Sequence, residues 1–190
     1  MNKKIILTSL LATSLVVPAT ITHNAEATSQ TGNVEKVNFK VATAQLPDVS
    51  QDTLNALTTG GFKYNGIGFD QTYAEVVKAQ GKFNKTEKFN KKNSTTVVGY
   101  YGKNNELVLE FAKNKKNAKV DDLTLKHMTF VTEGQNFTQQ AIENYAGKGK
   151  VVDSGEGFLI KDYGKNLTVH YEKVNNQFVA YTVTEHFTGK

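Results

Sequence analysis

The sequence lacks several residue types: it has no cysteine, no tryptophan, no arginine and only two prolines among its 190 residues. Without cysteine the chain forms no disulfide, carries no thiol nucleophile and builds no thiolate metal site. Its stability therefore has to come from packing alone. Without arginine, the bidentate contacts that read guanine in duplex nucleic acid are not available.

All of the positive charge is carried by lysine, and the chain has a formal net charge of +5. Lysine is a flexible point charge, which suits contacts to a phosphate backbone or another polyanion. A second interpretation is that the excess only keeps an exported protein in solution. Composition alone leaves both interpretations open.

The first residues follow the order of a bacterial signal peptide. Lys3 and Lys4 precede an apolar run over residues 5–17, and Ala25-Glu26-Ala27 has the form of a cleavage site. The apolar run is shorter than the roughly 20 residues that a membrane span requires. We therefore expect residues 1–27 to be a signal peptide. The protein is predicted to be secreted and extracellular, with association to the cell surface as an option and no membrane span.

The segment 28–60 is predicted to be partly disordered, because its first residues are polar. Alternating apolar residues predict a strand over 37–41. Ser50 is a suitable cap for a short helix that Gly60-Gly61 would end.

From residue 61 onward, the order of elements predicts two similar units, 61–131 and 132–190. Each has a helix with one apolar stripe, the first capped by Asp70 and the second by Thr138. The hairpin turn Tyr-Gly-Lys-Asn occurs in both units, at 101–104 and again at 163–166. We therefore predict an α+β fold: a tandem repeat of a helix plus a small antiparallel sheet, with the helices packed on one face of the combined sheet.

Catalytic and metal-binding patterns are weak in this sequence. His127, His170 and His186 show no metal-ligand spacing and are interpreted as exposed strand histidines. Ser154 has no base that can be assigned to it, and Asp121 and Asp122 would point to opposite faces of a strand. We therefore expect a non-enzymatic protein with no metal and no cofactor.

Lysines interleaved with aromatic residues form the strongest functional pattern. Such a pattern can follow a phosphate backbone while the aromatic rings stack on bases. The alternative is that the two phenylalanines belong to the core and the lysines form a solvated face. The candidate nucleic-acid-binding residues are Lys82, Phe83, Lys85, Lys88, Phe89, Lys91 and Lys92, together with Lys113, Lys115 and Lys116.

Four short stretches resemble the immunodominant staphylococcal antigen B family. They are Phe62–Ile67 (FKYNGI), Asp153-Ser154-Gly155, the Tyr-Gly-Lys at 163–165 and the last strand at 178–186, and the likeness covers roughly 61–190. The resemblance implies a secreted, virulence-associated antigen that binds extracellular nucleic acid without sequence preference.

Two functions follow as expectations. The first is nonspecific binding of extracellular DNA, RNA or another polyanion through the lysine clusters, with weak and salt-dependent affinity. The second is a host-protein-binding or inhibitory exoprotein, acting in immune evasion or adhesion. That alternative predicts an exposed apolar patch on the sheet.

Overall fold

The computed structural model describes residues 45–188. The predicted signal peptide and the predicted strand at 37–41 lie outside the described residues.

Within residues 45–188 there are three short α-helices, and their ends follow local capping chemistry. Helix α1 (Gln51–Thr59) begins at Ser50, whose side chain accepts the backbone N–H of Thr53. It ends at Gly60, which adopts a positive φ of 74° that glycine tolerates best. The predicted first helix is confirmed, including both of its ends.

The two later helices form close to their predicted positions, but their predicted apolar stripes are only partly buried: Val76 and Ile142 are buried, whereas Tyr145 is 45% exposed. Helix α2 (Tyr73–Gln80) begins at Thr72, which forms a capping box with Glu75; the predicted cap Asp70 was therefore wrong by two residues. Helix α3 (Gln139–Ala146) begins at the predicted cap, Thr138, and ends at Gly147.

Eight strands form one continuous antiparallel sheet in the order β1-β2-β3-β4-β8-β7-β6-β5. The chain also makes one turn of 3₁₀ helix at Val120–Asp122. The strands are β1 (Lys85–Lys91), β2 (Ser94–Tyr101), β3 (Leu107–Lys113), β4 (Thr124–Val131), β5 (Lys150–Ser154), β6 (Phe158–Tyr163), β7 (Leu167–Val174) and β8 (Gln177–His186).

The predicted fold class, a tandem repeat of a helix plus a small sheet, was wrong. Strands β4 and β8 pair over five residues, from His127↔His186 to Val131↔Thr182, so all eight strands share one hydrogen-bonded sheet. The helices have only eight or nine residues, which is about two turns, and each buries one or two side chains. The sheet, rather than a pair of helix-sheet units, therefore dominates the fold.

The hairpin turns were predicted correctly. Strands β2 and β3 are joined through Gly102, and β6 and β7 through Gly164, with positive φ values of 89° and 72°. Both turns belong to the repeated Tyr-Gly-Lys-Asn motif.

The two faces of the sheet have different environments. One face, which we call the helix face, forms a single core with the helices. The other, the opposite face, carries a smaller buried cluster of Val98, Tyr100 and Val108. The helix-face core includes Leu54 and Leu57 of α1, Val76 of α2, Ile142 of α3, and the strand residues Val97, Leu109, Phe111, Leu125, Phe130, Leu167, Val169 and Tyr171.

Candidate nucleic-acid interface

The first lysine cluster lies on β1, an edge strand that the sequence analysis did not predict. All seven residues of β1 pair with β2, from Lys85↔Tyr100 to Lys91↔Ser94. The strand was missed because its sequence, KTEKFNK, contains one apolar residue and no hydrophobic alternation. Pairing with the buried strand β2 holds it in place.

Strand geometry divides the lysines of β1 between the two faces. Directly paired residues point to the same face, so Lys85 and Lys91 lie on the opposite face with Tyr100. Lys88 is paired with Val97 and lies on the helix face. Phe89 shares the side of Lys85 and Lys91 and is 44% exposed, which leaves its ring available for stacking.

Phe83 belongs to the core rather than to the exposed surface. Its ring lies 4.3 Å from that of Tyr101 and 5.3 Å from that of Tyr73, measured between centroids. It also occupies the space above Gly99, where a Cβ atom would come within 2.5 Å of the Phe83 ring. A base cannot stack on this ring without displacing core contacts.

Five exposed lysines from two distant parts of the sequence meet at one end of the sheet. The β1–β2 turn follows directly after Lys91, and Thr95 near the start of β2 pairs with Lys113 at the end of β3. Neighbouring strands lie about 4.8 Å apart, so the two groups of lysines are separated by roughly 10 Å. We call this set the lysine tip; it consists of Lys91, Lys92, Lys113, Lys115 and Lys116.

Thr95 fixes the second half of the lysine tip. This side chain is fully buried, and its hydroxyl donates to the carbonyl oxygen of Lys115 at 2.9 Å. The hydroxyl oxygen of Thr95 in turn accepts the backbone N–H of Ala118 at 3.0 Å. The loop after β3 is therefore held against the start of β2, which keeps both lysine groups together.

Three of the predicted lysines, Lys82, Lys85 and Lys88, lie away from this tip. Lys85 is at the start of β1, where its Nζ pairs with Glu87 at 2.6 Å and lies 5.4 Å from the centre of the Tyr100 ring. Lys82 precedes β1 and is exposed. Glu87 therefore partly neutralises the far end of the strand.

The lysine tip keeps most of its positive charge uncompensated. Within residues 45–188, the ion pairs Lys85–Glu87 and Lys161–Glu143 do not involve Lys92, Lys113, Lys115 or Lys116. Lys91 does act on Glu110 of β3: burial raises the pKa of that carboxyl, and the charge of Lys91 lowers it in part. At physiological salt the screening length is about 8 Å, which is no longer than the separation of roughly 10 Å between the two lysine groups. Lys91 lies on the opposite face and Lys113 on the helix face, so each group acts mainly on the ligand charges nearest to it.

A histidine pair on the opposite face was missed by the sequence analysis. His127 and His186 face each other across β4 and β8, with their Nδ1 atoms 2.8 Å apart. The Nε2 atom of His186 lies 2.8 Å from the hydroxyl of Thr168, which donates to Asp162 at 2.6 Å. The interpretation of these histidines as exposed was therefore wrong. The signal available in the sequence was that the two histidines occupy matching positions in the two predicted units, 59 residues apart.

The directions of the hydrogen bonds from His127 through His186 and Thr168 to Asp162 show which ring nitrogens carry protons. Because the Thr168 hydroxyl donates to Asp162, it accepts from Nε2–H of His186, and Nδ1 of His186 accepts from His127. Burial lowers the pKa of His127 to about 4, with smaller contributions from His186 and Lys126, and burial also lowers the pKa of His186. Both rings are neutral at pH 7, so they add no charge to the surface.

Metal and membrane sites are not found in the part of the chain that is described. Over residues 45–188, no three histidine, cysteine or acidic side chains group closely enough to hold a metal ion. None of the helices within these residues has the length and apolar character needed to cross a membrane.

No protein-family model and no curated protein matches this chain. Among solved structures, a DUF4309 family protein, YjgB from Bacillus subtilis, is similar over 70% of this chain and 93% of its own length. The sequence identity is 11% and the TM-score is 0.38, and a likeness of this size carries no argument about function. The class of protein defined here is thus structural: one antiparallel sheet with a helix-covered face and a lysine-rich tip.

Proposed function

We propose that the protein binds extracellular nucleic acid, or another polyanion, at the lysine tip and without sequence preference. The observation that carries this proposal is the meeting of two lysine groups, 91–92 and 113–116, at one end of the sheet. Clustered, exposed lysines are suited to phosphate contacts, which release counterions on binding. The resemblance to the antigen B family supports the same ligand class and an extracellular location.

We restrict the proposed contact residues to those at the lysine tip and to Phe89. The tip supplies the charge, and Phe89 is the exposed ring closest to it along β1, four strand positions after Lys85. Phe83 is assigned to the core. We place Lys82, Lys85 and Lys88 at the margin of the site, because they precede the end of β1 at which Lys91 and Lys92 lie.

Protein recognition on the opposite face is less well supported. That alternative expects an exposed apolar patch on the sheet, whereas Val98, Tyr100 and Val108 are only 4%, 6% and 9% exposed. In the described residues, therefore, the charge pattern favours a polyanion over a host protein as the ligand of the region around β1–β3.

The experiment compares two quadruple variants with equal changes in net charge. The tip variant changes Lys92, Lys113, Lys115 and Lys116 to glutamate. The control changes four exposed lysines outside the tip, Lys103, Lys148, Lys165 and Lys173, to glutamate. Binding to a labelled DNA duplex is measured by fluorescence anisotropy at low salt.

We expect the tip variant to bind on the order of 100-fold more weakly than the wild type, because several phosphate contacts are lost together. The control variant should lose much less affinity. Equal losses in the two variants would show that only net charge matters and would reject the tip as the site. Circular dichroism spectra of both variants check that the sheet is retained.

A further inference from the structure

The edge strand β5 leaves apolar side chains exposed at the other side of the sheet. It has five residues, and it pairs with β6 on one side only. Val151 is 51% exposed and Val152 is 45% exposed. Unpaired edge strands present free backbone N–H and C=O groups to a further strand.

A β-bulge places the charged residues of β5 on the same face. Lys150 pairs with Asp162, and Asp153 pairs with Ile160, so that Val152 is the extra residue between Val151 and Asp153. In a regular strand, residues three positions apart would point to opposite faces. Since Asp162 and Ile160 are two positions apart on β6, Lys150 and Asp153 lie on the same face.

This arrangement makes the sequence Lys-Val-Val-Asp complementary to itself. In an antiparallel pair of β5 strands related by a two-fold axis, Lys150 of each copy faces Asp153 of the other, and Val151 faces Val152. Opposite charges directly across two strands are stabilising, and so are paired β-branched side chains. Asp153 Oδ1 already accepts the backbone N–H of Ser154 at 2.8 Å, which orients the carboxylate.

We propose that two copies of this chain associate through their β5 edges, in an antiparallel arrangement with two-fold symmetry. The charge pattern favours a second copy of this chain as the partner of β5, because Lys150 of each copy faces Asp153 of the other. Antiparallel pairing of two β1 strands about a two-fold axis would be unfavourable, because Lys88 would face Lys88 and Lys85 would face Lys91. The proposal is independent of the proposed function, since β5 lies at the opposite edge from the lysine tip.

Such a dimer would carry two lysine tips. A polyanion long enough to reach both would then bind with higher avidity than one tip provides. The contact is small, so we expect weak association, with a Kd of roughly 1–100 µM.

The test uses charge reversal at one residue in each of two variants, Lys150→Asp and Asp153→Lys, studied by sedimentation equilibrium. Wild-type protein should dimerise with concentration, and each variant alone should associate at least ~10-fold more weakly because like charges face each other. An equimolar mixture of the two variants should associate again. One copy then carries acids at both positions 150 and 153 and the other carries lysines at both, so every charged contact joins opposite signs.

Three results would overturn the proposal. The first is a wild-type protein that stays monomeric at about 1 mM, far above the expected Kd. The second is that each variant alone dimerises as strongly as the wild type. The third is that the equimolar mixture of the two variants does not regain the association of the wild type. Hydrogen exchange provides a second readout that does not depend on the variants. The amides of residues 151–153 should gain protection as the wild-type concentration rises, and unchanged exchange in a dimer would place the contact elsewhere.

Discussion

The two edge strands of the sheet, β1 and β5, differ in the side chains that they present to another strand. Strand β1 has seven residues, three of them lysine, whereas β5 has five residues, a bulge and two exposed valines. Any edge strand exposes backbone groups that invite another strand. Like charges oppose the pairing of β1 with itself, whereas the bulge of β5 brings Lys150 and Asp153 to the same face, which favours pairing with a second copy. We therefore expect the lysines on β1 to disfavour association of two β1 edges, in addition to any contact with a ligand.

The lysines near the two edges differ most in burial, and this contrast gives the largest effect that we predict for one substitution at a fixed pH. Lys161 of β6, paired with Val151 of β5, forms an ion pair with Glu143 of α3 in which the side chains are 11% and 13% exposed. Changing Lys161 to methionine leaves the carboxylate poorly solvated without its partner. We expect a loss of about 3 kcal/mol in the free energy of unfolding, measured by urea denaturation.

The control for this prediction is the double variant Lys161→Met with Glu143→Leu. Removing both partners together should restore most of the stability, because apolar groups of similar size replace the pair. A single variant as stable as the wild type would show that this pair does not anchor α3 to the sheet.

A buried carboxyl group in the centre of the sheet contrasts with the exposed charged groups at its edges. Glu185 of β8 is fully buried and accepts the backbone N–H of Phe62 at 3.1 Å. Burial raises the pKa of Glu185 to about 8, and the bond from Phe62 lowers it only in part. The folded protein therefore holds a proton that the unfolded chain releases near pH 4.5.

It follows that the contribution of Glu185 to stability is complete below about pH 4.5 and is lost as the pH rises towards 8. In the wild type we expect a decrease of up to about 1.4 kcal/mol per pH unit from this group. In Glu185→Gln this decrease should disappear. The measurement is the difference between the two unfolding free energies from pH 5 to 9, in which the contributions of the histidines cancel. Parallel curves would contradict the assignment.

The smallest effect is expected at the β1 edge. Lys85 and Glu87 form an ion pair whose side chains are 48% and 31% exposed, so solvent screens the interaction. Changing Lys85 to methionine should alter the free energy of unfolding by less than about 1 kcal/mol in the same urea assay. A cost near that of Lys161→Met would remove the contrast between the two edges.

Features that depend on local sequence could be predicted. The side chains of Ser50 and Thr138 cap helices where expected, and Gly102 and Gly164 form the expected turns. Each of these structures is determined by a few neighbouring residues, because capping and tight turns require particular side chains or a positive φ.

Features that depend on distant pairing could not be predicted. Strand β1 looks polar in sequence and becomes a strand because β2 pairs with it. The contact of His127 with His186 joins residues 59 positions apart. The lysine tip likewise needs the register of β2 with β3, which no local pattern encodes. Phe83 resembled a stacking residue beside lysines and proved to pack on Tyr101.

The salt dependence of binding tests the lysine tip most directly. The affinity of the purified protein for a labelled DNA duplex of mixed sequence is measured over a range of salt concentrations. The logarithm of the association constant should fall linearly with the logarithm of the salt concentration. If up to five lysines contact phosphates, the slope should reach about −4.5 for the wild type. The tip variant should lose most of that slope. Absence of binding at low salt, or binding that salt does not weaken, would contradict the proposed function.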